Sequence, residues 1–386
     1  MVWRDSVAFE LSEEENFACD TAKAFAEKEV APLAAKIDRE HYFPKELLPK
    51  MGELGLMGAI IPQEYGGAGL STLAYALIIE ELSAACASTG IIVSAHTSLC
   101  VTPILDYGTE EQKQYFLPRL ASGKALGCFA LSEPSTGSDA GAITTTYKKD
   151  GNDFILNGTK NWITNGPEAD VCVVFASSDT SKGNKGITAF AHDMNVPGIS
   201  RGKREDKMGI RGSPTSSIMY DDVRLPKSAL LYQENRGFPV AMTTLNGGRI
   251  GVAAQAVGIA RSAFDDALKY SQERKAFGKQ ICEHQSIQNY FADMVCHIDS
   301  SRYLTLAAAK LKDKKQSYVR QAAMAKLFAS ETAMMCAVKG IQIHGGYGYV
   351  TDYPAERHLR DAKITEIYEG TSEIQRILIA TQLLRD

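Results

Sequence analysis

Beyond Gly237 the chain repeats alanine and apolar residues at three- and four-residue spacing over two long stretches, RIGVAAQAVGIARSAFDDALKYSQERKAFG and SYVRQAAMAKLFASETAMMCAVKGIQIHGG. That period lines one face of an α-helix with small side chains, and such a face is buried by packing on other helices. Gly345–Gly346 ends the second stretch as a C-cap, and TSEIQRILIATQLLR adds a last helix with Thr371 or Ser372 as its N-cap. Residues 236–386 are therefore expected to be helical.

Helical texture also opens the chain. Ser12 and Glu15 form a capping-box signature, with Phe17, Thr21, Ala24, Phe25 and Lys28 as a stripe behind it. PKELLPKMGELGLMG, STLAYALIIEELSAACAS and GTEEQKQYFLPRLASG read as further helices up to residue 125. From 126 to 235 the pattern changes. YKKDGNDFILNGTKNWITNG is two extended runs around an Asp-Gly turn, DVCVVFASS and GITAFAHDM are β-branched and aromatic, and SSIMYDDVRLP stops at a proline. The order helical, β, helical predicts an α+β chain in three parts, 1–125, 126–235 and 236–386.

Several function classes are excluded at this level. No apolar run approaches the ~20 residues of a membrane span, and a net charge of -4 disfavours nucleic acid. Lys203, Arg204, Lys207 and Arg211 are interrupted by Glu205 and Asp206 and read as a solvated loop. Eight scattered cysteines suit reduced, mostly buried thiols, and the N-terminus lacks a signal core or an Arg-rich presequence. Isolated histidines give no metal site, and nucleotide-loop and nucleophile-elbow motifs are missing.

Three segments carry chemistry. FALSEPSTGSDAG (129–141) gathers Ser132, Ser135, Thr136 and Ser138 in a Gly/Pro-shaped loop that suits a pyrophosphate or the polar edge of a flat ring, or else is a capped turn. KNWITNG (160–166) holds one of two tryptophans, either a core residue or a wall against a flat cofactor. ITEIYEGTSEIQR (364–376) puts Glu369 before a glycine at a loop–helix junction. Asp361, Glu366 and Glu373 stand nearby, and composition does not separate the four.

Together FALSEPSTGSDA, LNGTKNWITNG, EDKMGIRGSPTSSIMYDDVRLP, ERKAFGKQICEHQ and IQIHGGYGYVTDYPAERHLRDAKITEIYEGTSEIQR resemble the acyl-CoA dehydrogenase family across essentially the whole chain, most of all its short-chain, butyryl-type members. The resemblance implies an N-terminal α domain, a middle β domain and a C-terminal four-helix bundle. It also implies FAD lined by Phe129, Ala130, Leu131, Ser132, Gly137 and Ser138, with Trp162, Ile163 and Thr164 against the isoalloxazine. Arg274, Phe277, Gln285, Gln342, Ile343, Gly345 and Gly346 would reach the FAD of a neighbouring subunit, and Thr371, Ser372 and Glu373 the FAD at the final helix. Ser138 and Gly370 would touch substrate, and Asn246 (where members often carry Asp) and Arg249 the adenine end of CoA.

By the same resemblance Glu369 is the base that takes the α proton of the thioester. Members of the isovaleryl and long-chain types place a glutamate immediately before the arginine of the LNGGR block instead, where this chain has Gly248. The enolate oxygen would be held by the Glu369 N–H and a ribityl hydroxyl. The product would be trans-2-enoyl-CoA, with electrons leaving to electron-transfer flavoprotein in fatty acid β-oxidation. A homotetramer in the mitochondrial matrix, or in a bacterial cytoplasm, is implied. Alternatives within the resemblance are a 2-methylacyl-CoA dehydrogenase or an enoyl-CoA reductase. An oxidase is disfavoured because the chain stops soon after the base.

Overall fold

A computed structural model describes residues 10–384; the first nine residues, on which most of the reading about a signal core or presequence falls, lie outside them. The first part holds helices α1 (Glu13–Phe25), α2 (Ala34–Arg39), α3 (Leu47–Glu53), α4 (Thr72–Ala85), α5 (Ala87–Ser94), α6 (Thr102–Tyr107) and α7 (Glu110–Ala121). The capping box on α1 is formed: Glu15 N–H donates to Ser12 Oγ (3.2 Å), and Ser12 N–H to the Glu15 carboxylate (2.9 Å). The buried face of α1 is Ala18, Cys19, Ala22 and Phe25, not the stripe beginning at Phe17, which is 75% exposed. The two rows are adjacent on the helix, and the small residues permit the closer approach to α4.

From Ala87 to Tyr107 the helix is continuous, passing through a π-helical stretch at Ala95–Val101. By length and composition this 21-residue run is apolar enough to cross a membrane, contrary to expectation. Its window is 94% buried inside the protein, as a core helix.

The middle part is a sheet of β1 (Gly127–Ala130), β2 (Thr146–Asp150), β3 (Asp153–Thr164), β4 (Val171–Ser177), β5 (Ile187–Asp193), β6 (Ile199–Arg201), β7 (Thr215–Leu225) and β8 (Leu230–Leu231), ordered β6-β7-β3-β2-β4-β5-β8, with β1 parallel to β4. The β2–β3 hairpin closes Asp150 on Asp153 around Gly151 (φ +60), the mirror-image turn that matches strand twist. Every residue of β4 is buried because the sheet has a core on each side. Val171, Val173 and Phe175 face the helices, while Cys172, Val174 and Ala176 face the core closed by β7.

The last part comprises α8 (Gly237–Glu273), α9 (Gln285–Asp313), α10 (Val319–His344), α11 (Ala355–Thr365) and α12 (Ser372–Leu383). The helical reading of ERKAFG fails at Arg274. Phe277 and Gly278 take φ of +53° and +82°, turning the chain into the small hairpin β9 (Lys275–Ala276) and β10 (Lys279–Gln280) with Phe277 96% exposed at its tip. Gly345 (φ +60) ends α10 as expected, and Thr371 rather than Ser372 caps α12, its Oγ1 accepting from Ile374 N–H (3.3 Å). α8 to α11 form the bundle, and α4 inserts beside α8 and α9. There Glu80 accepts from Arg261 and from Arg302 Nε (3.0 Å), and Glu81 from Arg261 (2.8 Å), so buried charges are paired across three helices.

Candidate active site

A cavity of about 650 Å³ opens where the three parts meet. Ile91, Ala95 and Leu99 form its apolar wall from the α5 and π-helical run, Phe129, Trp162 and Thr164 come from the sheet, and Tyr368, Glu369 and Gly370 from the turn before α12. π-helical turns shift side chains out of the regular helical rows, and here the shifted row includes Ala95 and Leu99.

The loop after β1 and the end of β3 are built as one unit. Lys160, fully buried, donates to the Glu133 carboxylate (2.8 Å) and the Leu131 carbonyl (3.1 Å). Glu133 also accepts from Thr144 N–H (2.6 Å), Thr144 Oγ1 (2.6 Å) and Thr145 N–H (3.0 Å). Asn161 N–H donates to the Ser132 carbonyl (2.9 Å). Immediately after this staple the β3–β7 register shifts between Lys160 and Ile163, and Trp162 takes φ +60. That bulge re-aims Trp162, which is 61% exposed and lines the cavity, so it is not a core tryptophan. Leu131, Ser132, Gly137, Ser138 and Ile163 line the same cavity.

Glu369 sits at φ +52, followed by Gly370 at φ +95. Its carboxylate is fully buried, with no hydrogen bond to either oxygen among the described residues. Burial pushes its carboxyl up to about 7, although Arg249 and Lys326 nearby pull in the other direction. The three bland comparators are separated by their surroundings. Asp361 accepts from Ile210 N–H (2.5 Å), Glu366 accepts from Lys363 (2.6 Å), and Glu373 is exposed in the first turn of α12. Gly248 faces Glu369 from α8: a Cβ there would overlap the Glu369 carboxylate and press on Leu99 Cδ2 at 3.0 Å.

Other expected residues lie elsewhere. Ala130 and Ile343 are buried in the sheet and bundle cores, so only their backbones are available to a ligand. Arg274, Phe277, Gln285, Gln342, Gly345 and Gly346 are exposed outside the cavity, with the Arg274 guanidinium over the Tyr347 ring (5.7 Å). Arg249, expected at the adenine end of the substrate, is 7% exposed, bonded to Asn246 and close enough to Glu369 for their charges to interact. Thr371 lines the cavity and Ser372 is buried behind it.

The loop read as solvated is exposed at Lys203, Arg204 and Asp206, but it also borders the cavity through Glu205, Asp206 and Lys207, and half-buried Lys207 donates to the Ser213 carbonyl (2.7 Å). Sequence reasoning missed Lys326 and Gln375. Each stands as a polar residue on a face otherwise suited to burial, which is the signal that would have found them.

Three family models match end to end: acyl-CoA dehydrogenase N-terminal domain at residues 12–124, middle domain at 128–223 and C-terminal domain at 235–384. The chain is 53% identical over 376 residues to the human mitochondrial short-chain specific acyl-CoA dehydrogenase, covering 97% of this chain and 91% of the relative. It is 48% identical to a short-chain specific acyl-CoA dehydrogenase of Clostridium acetobutylicum, covering 98% and 100%. Among solved structures, butyryl-CoA dehydrogenase from Megasphaera elsdenii superposes with a TM-score of 0.96 at 45% identity, covering 98% and 100%. A chain from a study of the electron transferring flavoprotein of Acidaminococcus fermentans superposes with a TM-score of 0.97 at 50% identity, covering 98% and 100%. A glutaryl-CoA dehydrogenase from Mycobacterium smegmatis in complex with FADH2 superposes with a TM-score of 0.92 at 34% identity, covering 97% and 96%.

The contact at Gly248 yields a direct expectation. Gly248→Ala displaces the Glu369 carboxylate and slows flavin reduction by substrate about 10²-fold, the usual consequence of moving a reacting group by ~1 Å. Bound flavin per subunit, read from the visible spectrum, stays at the wild-type level. Wild-type reduction rates in this variant would mean that the turn relaxes and Gly248 does not set the position of Glu369.

Proposed function

The chain belongs to the acyl-CoA dehydrogenase family and is an FAD-dependent oxidoreductase, and from that premise we propose that it converts short-chain acyl-CoA to trans-2-enoyl-CoA with Glu369 as the base. The observation that carries this reading is the buried Glu369 carboxylate, free of hydrogen bonds, on a cavity shared with Trp162 and Thr164. The exposed face of Trp162, with Ser132, Ser138 and Thr164 lining beside it, suits a flat cofactor with polar edges. FAD, when bound, supplies the acceptor for the hydride from the β carbon.

The protein's own part is proton transfer and polarisation. Glu369 takes the α proton, and a carboxylate already raised by burial is a stronger base than one in water. No bond from the Glu369 N–H is made among the described residues, which leaves it to donate to the thioester oxygen. Arg249 and Lys326 keep part of the base ionised before substrate arrives.

The short-chain preference is supported by the short-chain specific relatives. Tyr368, bonded to Gln255, lines the cavity next to Glu369 together with Ile91, Ala95 and Leu99. Electron-transfer flavoprotein as acceptor is supported by the similarity to the chain from the Acidaminococcus fermentans flavoprotein study, and a place in fatty acid β-oxidation is part of the same proposal. Divisions at 125/126 and 235/236 belong to the proposal too, as does a location in the mitochondrial matrix, supported by the mitochondrial relatives, or in a bacterial cytoplasm, supported by the bacterial ones.

Glu369→Gln keeps size and removes the base, so flavin reduction in rapid mixing is expected to fall by at least ~10²–10⁴-fold with FAD retained. In the parent, reduction at low substrate rises with pH through about 7 as Glu369 loses its proton, and the variant lacks that rise. Near-normal reduction in the variant would assign the proton to another residue.

A substrate panel with a dye acceptor should favour butyryl-CoA over octanoyl-CoA by at least roughly tenfold in kcat/KM, about 1.4 kcal/mol. A maximum at C8 or beyond would reject the short-chain reading and leave the family intact.

The exposed group around Arg274, Phe277, Gln285 and Gly345 supports a homotetramer in which these residues complete a neighbour's cofactor site. Light scattering should give about four times the subunit mass of 42.0 kDa; a stable FAD-loaded monomer would overturn this.

A further inference from the structure

Lys326 lies at the end of the second turn of α10, among the buried Ala322, Ala323, Ala325, Ala329 and Ser330, and is fully buried. A lysine there needs a partner, since desolvating an ammonium group is costly. Its Nζ donates to the Gly370 carbonyl (2.8 Å). Gln375 Nε2, from the first turns of α12, donates to the same carbonyl (2.9 Å) and to the Glu369 carbonyl (3.2 Å). The two peptides that follow Glu369 are thus held from α10 and α12, while Glu369 and Gly370 both take positive φ. A non-glycine residue in that region is strained and persists only where its surroundings fix it. The direction in which Glu369 leaves the backbone depends on those two carbonyls.

On the reading that Glu369 is the base, we propose that Lys326 is a positioning residue for the reaction: it clamps the Gly370 carbonyl so that the left-handed turn aims the carboxylate and the Glu369 N–H at the thioester. A purely structural buried lysine could have been met by any carbonyl of the bundle. This one spans from the Ala face of α10 to the turn that holds the carboxylate, and it draws on the same electrostatic field. Arg249 on α8 and Lys326 on α10 favour the charged form of Glu369, whereas burial opposes it. Burial lowers the Lys326 ammonium to about 8, against the pull of Glu369, with Arg249 lowering it further and Glu366 and Glu373 raising it. Tyr75 on α4 is buried and the neighbouring Tyr368 half-buried, and desolvation with the nearby Glu369 charge raises both phenols, so they remain neutral.

The test uses the FAD-loaded enzyme with Lys326→Met, Lys326→Arg and Lys326→Gln, the last standing in if the Met variant does not fold. Three quantities are read: the rate of flavin reduction at saturating butyryl-CoA, its pH profile, and the substrate concentration giving half the maximal rate. Lys326→Met should lower the maximal rate roughly 10- to 100-fold, as expected for a misplaced reacting group, while the half-saturating concentration changes less than threefold. Its profile should move to higher pH by about half a unit or more, because a positive charge that favours the carboxylate is gone. Lys326→Arg should return the profile toward the parent's. An unmoved profile with only a lower melting temperature would make Lys326 structural and overturn the proposal. Loss of the profile in Glu369→Gln together with an unmoved profile in Lys326→Met would sink this inference alone. A profile that survives Glu369→Gln would sink the reading on which it rests.

Discussion

The carboxylate of Glu369 is buried at the junction of three structural parts, and among the described residues neither oxygen has a hydrogen bond. Such a group is expensive to keep ionised, and a fold tolerates it only by placing opposite charge nearby or by letting its proton affinity rise. Both happen here. Arg249 and Lys326 contribute charge without bonding to it, and burial takes its carboxyl to about 7. Bonding would have been the stabler choice, but a base bound to an arginine has little affinity left for a carbon-bound proton. The enclosed Arg249 side chain bonds to Asn246 instead, and Lys326 to a carbonyl.

The opposite side of the cavity is governed by a different kind of buried charge. Lys160 and Glu133 are completely sequestered, yet between them they engage Leu131, Thr144 and Thr145, so little of their bonding capacity is wasted. The result is a rigid staple under the loop that carries Ser132 and under the bulge that turns Trp162 outward. One buried group is fully satisfied and inert, and the other is left wanting and reactive. The contrast follows from partners alone, since both lie out of reach of water.

Periodicity read the large elements correctly where local and tertiary preferences agree: the capping box on α1, the hairpin at Gly151, the glycine end of α10. It went astray where they part. The stripe at Phe17 lies beside the buried row because the side packed toward α4 carries the small Ala18, Cys19 and Ala22, with Phe25 at its end. The helix through KAFG breaks because Phe277 accepts a left-handed turn, which side-chain statistics do not anticipate. At the site, motif resemblance pointed to Glu369, Trp162 and Ser132, and the cavity gathers all three. Lys326 and Gln375 were missed although a polar residue on a burial-suited face was there to be noticed; what the chain does not encode is their meeting on the Gly370 carbonyl, forty-four and five residues away.

Gly248 ties two distant stretches of the chain to one small volume. A side chain there would enter the space of the Glu369 carboxylate and press on Leu99, so the carboxylate has to swing aside before anything larger than hydrogen is admitted. Positions 248 and 369 are therefore not independent: size gained at one is direction lost at the other.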